Sequence, residues 1–258
     1  TAASLFDGHD AAINIMRRLI QAQGVEVVHL GHNRSVEDVV RAALQEDADG
    51  IALSSYQGGH TEYFKYMVDM LAERGAKHIR VFGGGGGTIT PEEIKELQEY
   101  GVERIYHPND GMHMGLVAMI EDLVQRTNVH RLPAGRPESV SKDDEISVGK
   151  MLSALEEGLI DEAELVNLRK QWQLAGSKTP VIGITGTGGA GKSSVTDELL
   201  NRFLASFPEM RIAVISVDPT RRRTGGALLG DRIRMNSLRS KRVFMRSMAT
   251  RRQHMATN

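Results

Sequence analysis

The stretch "GIALSSYQGGHTEYFKYMVDMLAERGAKHIRVFGGGGG", residues 50–87, contains two short apolar runs separated by a longer amphipathic one. "GIALS" (50–54) and "HIRVFG" (78–83) have strand length and composition, while 60–74 carries a helical period. Strand, helix, strand predicts two parallel strands joined by a crossover helix. The alternation continues outward. "VEVVHL" (25–30) and "VERIY" (102–106) read as further strands, with helical patterns over about 10–23, 36–46, 91–100 and 112–126. Ser35 suits an N-cap with Asp38 three residues on, and Pro91 suits a first helical turn. The expected fold class is α/β, a flavodoxin-like doubly wound sheet over residues 1–130. Such a sheet needs a central strand just before Asp7, where only "TAAS" stands. The sequence is therefore expected to begin partway through that strand.

Around 127–145 the pattern dissolves into "TNVHRLPAGRPESVSKDDE", a linker by its Pro, Gly, Ser and charge content. "SVGKMLSALEEGLIDEAELVNLRKQW" (147–172) follows, helical in period but broken at Gly158, and predicts a helical hairpin within a linker spanning 131–178. A second α/β segment, 179–258, opens at "PVIGITG" (180–186) and continues through "MRIAVISVDP" (210–219).

The chain has no cysteine, which excludes disulfides and thiolate metal sites and fits a cytoplasmic setting. No apolar run approaches the roughly 18 residues of a membrane helix, and no signal-peptide pattern is present, so no membrane partner is expected. The net charge of −1 hides an asymmetry: Thr220–His254 holds eleven Arg or Lys against one acid, Asp231. Phe244 is the one aromatic residue in that stretch. Without aromatic interleaving it reads as a solvated or interface-bound segment, with no nucleic acid partner expected.

"GTGGAGKS" (186–193) fits the phosphate-loop pattern G-x-x-x-x-G-K-[ST] between an expected strand and the helical "SSVTDELLNRFL". In such a loop the backbone N–H groups of Gly186, Gly188, Gly189, Ala190 and Gly191 wrap a diphosphate at a helix N-terminus. Lys192 would reach the outer phosphates as the catalytic cation, and the Ser193 hydroxyl would ligate Mg²⁺. Asp218, at a strand end, and Asp231 are candidates to complete the shell of that hard cation. The sequence ends at Asn258, before the further strands, later acidic residue and base-reading loop of a complete nucleotide-binding domain. A partial second domain is therefore expected, and ATP versus GTP is open from these residues.

In the first segment, "DGHD" (7–10), "SSYQGGH" (54–60) and "GGGGG" (83–87) all fall at expected carboxyl ends of strands, where open parallel sheets bind ligands. Asp7 can hydrogen-bond one imidazole nitrogen of His9 and leave the other for a metal. Ser54 and Ser55 offer hydroxyls, and the glycines leave room for a large flat group or a buried tail. A loop histidine in an ordinary flavodoxin-like domain is the bland alternative.

These residues resemble the cobalamin-binding domain of adenosylcobalamin-dependent mutases of the base-off, histidine-on type, whose pattern is D-x-H-x-x-G, S-x-L and G-G. The resemblance covers roughly 1–127 and departs at Ala12, for Gly, and Tyr56, for Leu. It implies His9 as the lower axial ligand to cobalt, with Asp7 behind it. Ser54 would bond the displaced dimethylbenzimidazole tail, with Gly86 and Gly87 lining its slot. The segment 145–258, with "GTGGAGKSS", "VDP" and "TGGALLGDRIRM", resembles the GTPase chaperones that escort cobalamin mutases, and that resemblance adds Arg234 to the nucleotide residues.

Together the two segments resemble the fused isobutyryl-CoA mutases, in which a CoA-binding barrel follows the GTPase. The implied cofactors are adenosylcobalamin, Mg²⁺ and GTP, and the implied partner is an acyl-CoA bound outside these residues, with a homodimer in the full-length protein. A GTP-dependent chaperone serving a separate mutase and a cobalamin sensor with a regulatory NTPase are the rival readings.

Overall fold

The computed structural model describes residues 1–7, 10–131, 135–218 and 226–250. The first part runs β1 (Ala2–Ser4), α1 (Asp10–Ala22), β2 (Glu26–Val28), β3 (Gly31–Arg34), α2 (Val36–Gln45), β4 (Gly50–Ser54) and α3 (His60–Glu73). It continues through β5 (Arg80–Gly84), α4 (Pro91–Tyr100), β6 (Arg104–Tyr106), α5 (Pro108–Met114) and α6 (Leu116–His130). Five of these strands form a parallel sheet in the order β3-β1-β4-β5-β6. β4 and β5 pair along their whole length, from Gly50 beside Arg80 to Ser54 beside Gly84. Phe64 and Met67 of α3, Leu97 of α4 and Val40 of α2 are fully buried in the core that includes Ile51, Leu53, Val81 and Ile105.

The helix starts follow their local chemistry. Ser35 caps α2 by accepting the Asp38 N–H at 3.1 Å. Thr90 and Glu93 form a reciprocal capping box at α4, with Pro91 in its first turn.

Ala2–Ser4, at the start of the sequence, stand where the central strand was expected and pair with β3 on one side and β4 on the other. Three expectations are corrected. The run 25–30 is not one strand of that sheet: Gly31 at φ +83° turns the chain, so β3 joins the main sheet while β2 pairs with a strand of the second segment. The pattern over 112–126 is divided by Gly115 at φ +80° into α5 and α6. "PVIGITG" forms no strand; no described strand pairs with it, and Val181 and Ile182 are 95% and 68% exposed.

The later part comprises α7 (Glu145–Glu156), α8 (Glu162–Ala175), α9 (Lys192–Ser206), β7 (Ile212–Asp218), β8 (Ala227–Leu229) and β9 (Val243–Ala249). Gly158, at φ +68°, lies in the turn between α7 and α8. β7 and β9 pair in parallel from Ile212 beside Val243 to Asp218 beside Ala249, and β8 pairs with β2.

Charged side chains fasten this part to α2. Arg41 binds the Glu145 carboxylate at 2.5 Å and donates to the carbonyls of Leu238 and Ser240, each at 2.8 Å, and of Val243 at 2.9 Å. Glu46, at the C-terminal end of α2, is buried between Arg232 and Arg246, at 2.5 and 3.9 Å, and accepts the Ser247 N–H and hydroxyl. Arg246 also meets Glu156 of α7 at 2.7 Å. The basic tract is thus partly an interface: Arg232 and Arg246 are buried in it.

Gly83 tests the packing between sheet and α3. A Cβ there would lie 2.4 Å from Phe64 Cζ and 2.6 Å from Ile105 Cδ1, both buried. Gly83→Ala is expected to lower stability by about 1–3 kcal/mol, as overpacking of a close-packed core does. Urea unfolding followed by circular dichroism checks it; an unchanged midpoint would contradict this packing.

Candidate functional sites

In a sheet of this order, the flavodoxin-like one, the topological switch point lies between the first strand and the third in sequence, here β1 and β4. Their carboxyl ends carry Ser4 and Ser54, and the loops that follow are joined side by side. Ser4 Oγ donates to Ser55 Oγ at 2.9 Å, and the Tyr56 N–H donates to Asp7 Oδ2 at 2.9 Å. Asp7, Ser54 and Ser55 are all buried, Asp7 to 1% exposure. A carboxylate so deep needs hydrogen-bond donors, and the backbone of the β4 loop provides one.

The β5 loop closes the third side. Gly85 cannot be replaced without movement, since a Cβ there would fall 1.9 Å from the Ser55 carbonyl oxygen. Gly86 has φ +57°, and its Cβ position lies 2.5 Å from Tyr56 Cε1, so the Tyr56 ring rests on it. Gly58, Gly59 and Gly87 face open space. The structure therefore brings Asp7, Ser54, Ser55, Gly86 and Gly87 to one edge of the sheet. His9 lies outside the described residues.

This edge has buried hydroxyls at Ser54 and Ser55, glycines that face open space and the buried Asp7 carboxylate. Sequence reasoning missed Phe6. This residue is 76% exposed at φ +61°, its N–H bound to Asn33 Oδ1 at 2.9 Å and its carbonyl to Gln57 Nε2 at 2.5 Å. A non-glycine residue at positive φ beside a candidate site is a signal only coordinates supply.

The second site is at the start of α9. Gly191, at φ +80°, is its N-cap, and Gly189 also has a positive φ. No atom approaches within 4 Å of a Cβ built at Gly188, Gly189 or Gly191, so the loop lies open on the side a ligand would take. Lys192 Nζ donates to the carbonyls of Gly186 and Thr187 at 2.9 and 3.0 Å, and the Ala190 N–H donates to the Thr187 carbonyl. Ser193 Oγ donates to Asp231 Oδ1 at 3.2 Å, and Ser216 Oγ donates to the other oxygen of the same carboxylate. Ser216 is a further residue that the motifs did not single out.

Asp218 sits at the end of β7 with its Oδ2 buried and without a hydrogen-bond partner. Burial, then the neighbouring Asp231 carboxylate, pushes its carboxyl above the usual carboxylate range, while Arg234 pulls the other way. Two repelling carboxylates beside a serine hydroxyl suit a magnesium ion, which binds through one or two carboxylates and completes its shell with water and phosphate oxygens. No group of three or more His, Asp or Glu among the described residues could hold a metal by itself.

Residues 1–114 match the B12 binding domain, and residues 150–255 match the methylmalonyl Co-A mutase-associated GTPase MeaB. Fused isobutyryl-CoA mutases from Cupriavidus metallidurans and Geobacillus kaustophilus are 59% and 54% identical to this chain over 97% of it. These alignments cover 23% and 24% of the two relatives, so the chain spans about a quarter of their length. The pivalyl-CoA mutase small subunit of Xanthobacter autotrophicus is 31% identical over 49% of this chain and 82% of that subunit. With a B12-binding domain ahead of a MeaB-type GTPase region, matched in that order by relatives more than half identical, the chain belongs to the fused isobutyryl-CoA mutase family.

Proposed function

We propose that this chain is the cobalamin- and GTP-handling part of a mutase that interconverts isobutyryl-CoA and butyryl-CoA. The cobalamin unit is residues 1–130, the linker 131–178 and the GTPase unit 179–258, with the acyl-CoA bound outside these residues. The observation that carries the reading is the switch-point edge, where Tyr56 and Asp7, Ser4 and Ser55 tie two loops together beneath a glycine rim. In this reading His9 would hold the cobalt of the cofactor, and Asp7 would orient its imidazole. Ser54 and Ser55 meet the cofactor tail, and Gly86 and Gly87 line its slot. Adenosylcobalamin, when bound, supplies a weak cobalt–carbon bond as the source of the radical that the carbon-skeleton rearrangement requires. The chain's own residues hold the cofactor, exclude water from its tail and fix its ligand.

At the second site the loop from Gly186 to Gly191 wraps the phosphates, with Arg234 beside them. Lys192 leaves its two loop carbonyls to neutralise the outer phosphates. Ser193, Asp218 and Asp231 would hold Mg²⁺, whose charge would offset the repulsion between the two carboxylates. Hydrolysis gates cofactor loading. The full-length protein is a cytoplasmic homodimer without nucleic acid or membrane partners, and no helix among the described residues is long and apolar enough to cross a membrane.

Absorbance titration with cobalamin tests the first site. The bound cofactor is expected to show a histidine-ligated, base-off spectrum that His9→Ala abolishes while far-UV dichroism stays unchanged. Asp7→Asn should weaken binding by roughly 10–100-fold and less than His9→Ala does, the usual range for a residue behind a metal ligand. A wild-type spectrum and affinity in His9→Ala would remove the axial assignment.

Fluorescent GDP binding tests the second site. Lys192→Ala should lose most of its affinity for GDP, because the phosphates lose their fixed counter-charge. Ser193→Ala should chiefly raise the Mg²⁺ concentration needed. Equal affinity in Lys192→Ala and wild type would show that the loop does not hold the nucleotide.

A further inference from the structure

The Asp231 carboxylate and the buried Arg232 guanidinium are adjacent on one four-residue 3-10 turn, Asp231–Arg234. They point to different partners. Asp231 takes the hydroxyls of Ser193 and Ser216 at the nucleotide loop. Arg232 reaches into α2, donating to Glu46 Oε1 at 2.5 Å, to Gln45 Oε1 at 2.9 Å and to the Met245 carbonyl at 2.5 Å. The next residue holds the turn to β3. Ile233 lies against Gly31, where a Cβ would fall 2.6 Å from its Cδ1, and its carbonyl accepts from Arg34 at 3.4 Å.

We infer that Arg232 is the positioning residue of the magnesium site: clamped by Glu46 of α2, it fixes the turn that presents Asp231 to Ser193. The inference rests on the nucleotide reading of that site. The side chains of Arg232 and Glu46 are 5% and 4% exposed, so the clamp works out of water, where a hydrogen-bonded ion pair has one favoured geometry. An apolar contact would join α2 to the turn at least as stably, but without fixing its orientation. The charges near the clamp balance, since Arg246 is paired with Glu156 at 2.7 Å and also approaches Glu46. A turn held from one side by α2 and β3 makes magnesium affinity depend on those two elements.

The test is fluorescent GDP binding to the 258-residue chain, titrated with Mg²⁺ and repeated in EDTA. The variants are Arg232→Met and the double variant Glu46→Gln with Arg232→Met, which removes one charge of each sign and leaves an acceptor for Ser247. Both are expected to need roughly tenfold more Mg²⁺ for half-maximal binding, the scale of lost support behind a metal ligand. GDP affinity in EDTA should stay at the wild-type value, a split that general loss of structure would not give. An unchanged Mg²⁺ requirement overturns the inference, and so does a parallel loss of affinity with and without Mg²⁺. A wild-type chain that binds no GDP under either condition would instead remove the nucleotide reading, and the inference with it.

Discussion

The parallel direction of β1, β4 and β5 is the constraint from which the first site follows. Parallel neighbours cannot be joined by tight hairpins, so each crossover passes through a helix and each strand delivers its carboxyl end to the same edge. At that edge the loops after β1 and β4 would expose polar groups to one another in a half-buried setting. They resolve this by pairing, Tyr56 N–H to Asp7 and Ser4 to Ser55. The pairing ties these two loops together and holds the buried Asp7 carboxylate at that edge.

The glycine tract after β5 shows how unlike tasks look alike in sequence. Gly83 and Gly85 are needed for packing, because side chains there would strike Phe64 and the Ser55 carbonyl. Gly86 is needed for its positive φ and for the Tyr56 ring that rests on it, whereas Gly87 looks onto open space. Tyr56 has a double part, its N–H on Asp7 and its ring over Gly86, so the residue that departs from the expected leucine is bound into the site by its backbone.

The earlier and later parts of the chain meet through α2. Ser35 caps the start of that helix just after β3, and its other end delivers Glu46 to two arginines of the later segment. Ion pairs at this depth lose hydration that they recover only through close, multiple hydrogen bonds. Glu46 satisfies that condition with Arg232 and both donors of Ser247.

The sequence by itself determined the strand–helix alternation, the cap at Ser35, the helix start at Pro91, the break at Gly158 and the glycine-rich turn into α9. Each is written in neighbouring residues: in periodicity, in a side chain that bonds its own helix start, or in a glycine where φ is positive. It also gathered Asp7, Ser54 and the glycines at one edge, because parallel crossovers leave them nowhere else to go. Only the tertiary structure decided which strands flank Ala2–Ser4, β3 on one side and β4 on the other. It alone sent β2 to β8 and left "PVIGITG" unpaired, because pairing depends on which edge is free in space. The buried cluster around Glu46 was illegible for the same reason: its arginines lie about 190 to 200 residues away along the chain, and a charge shows no sign of burial until its partners are assembled.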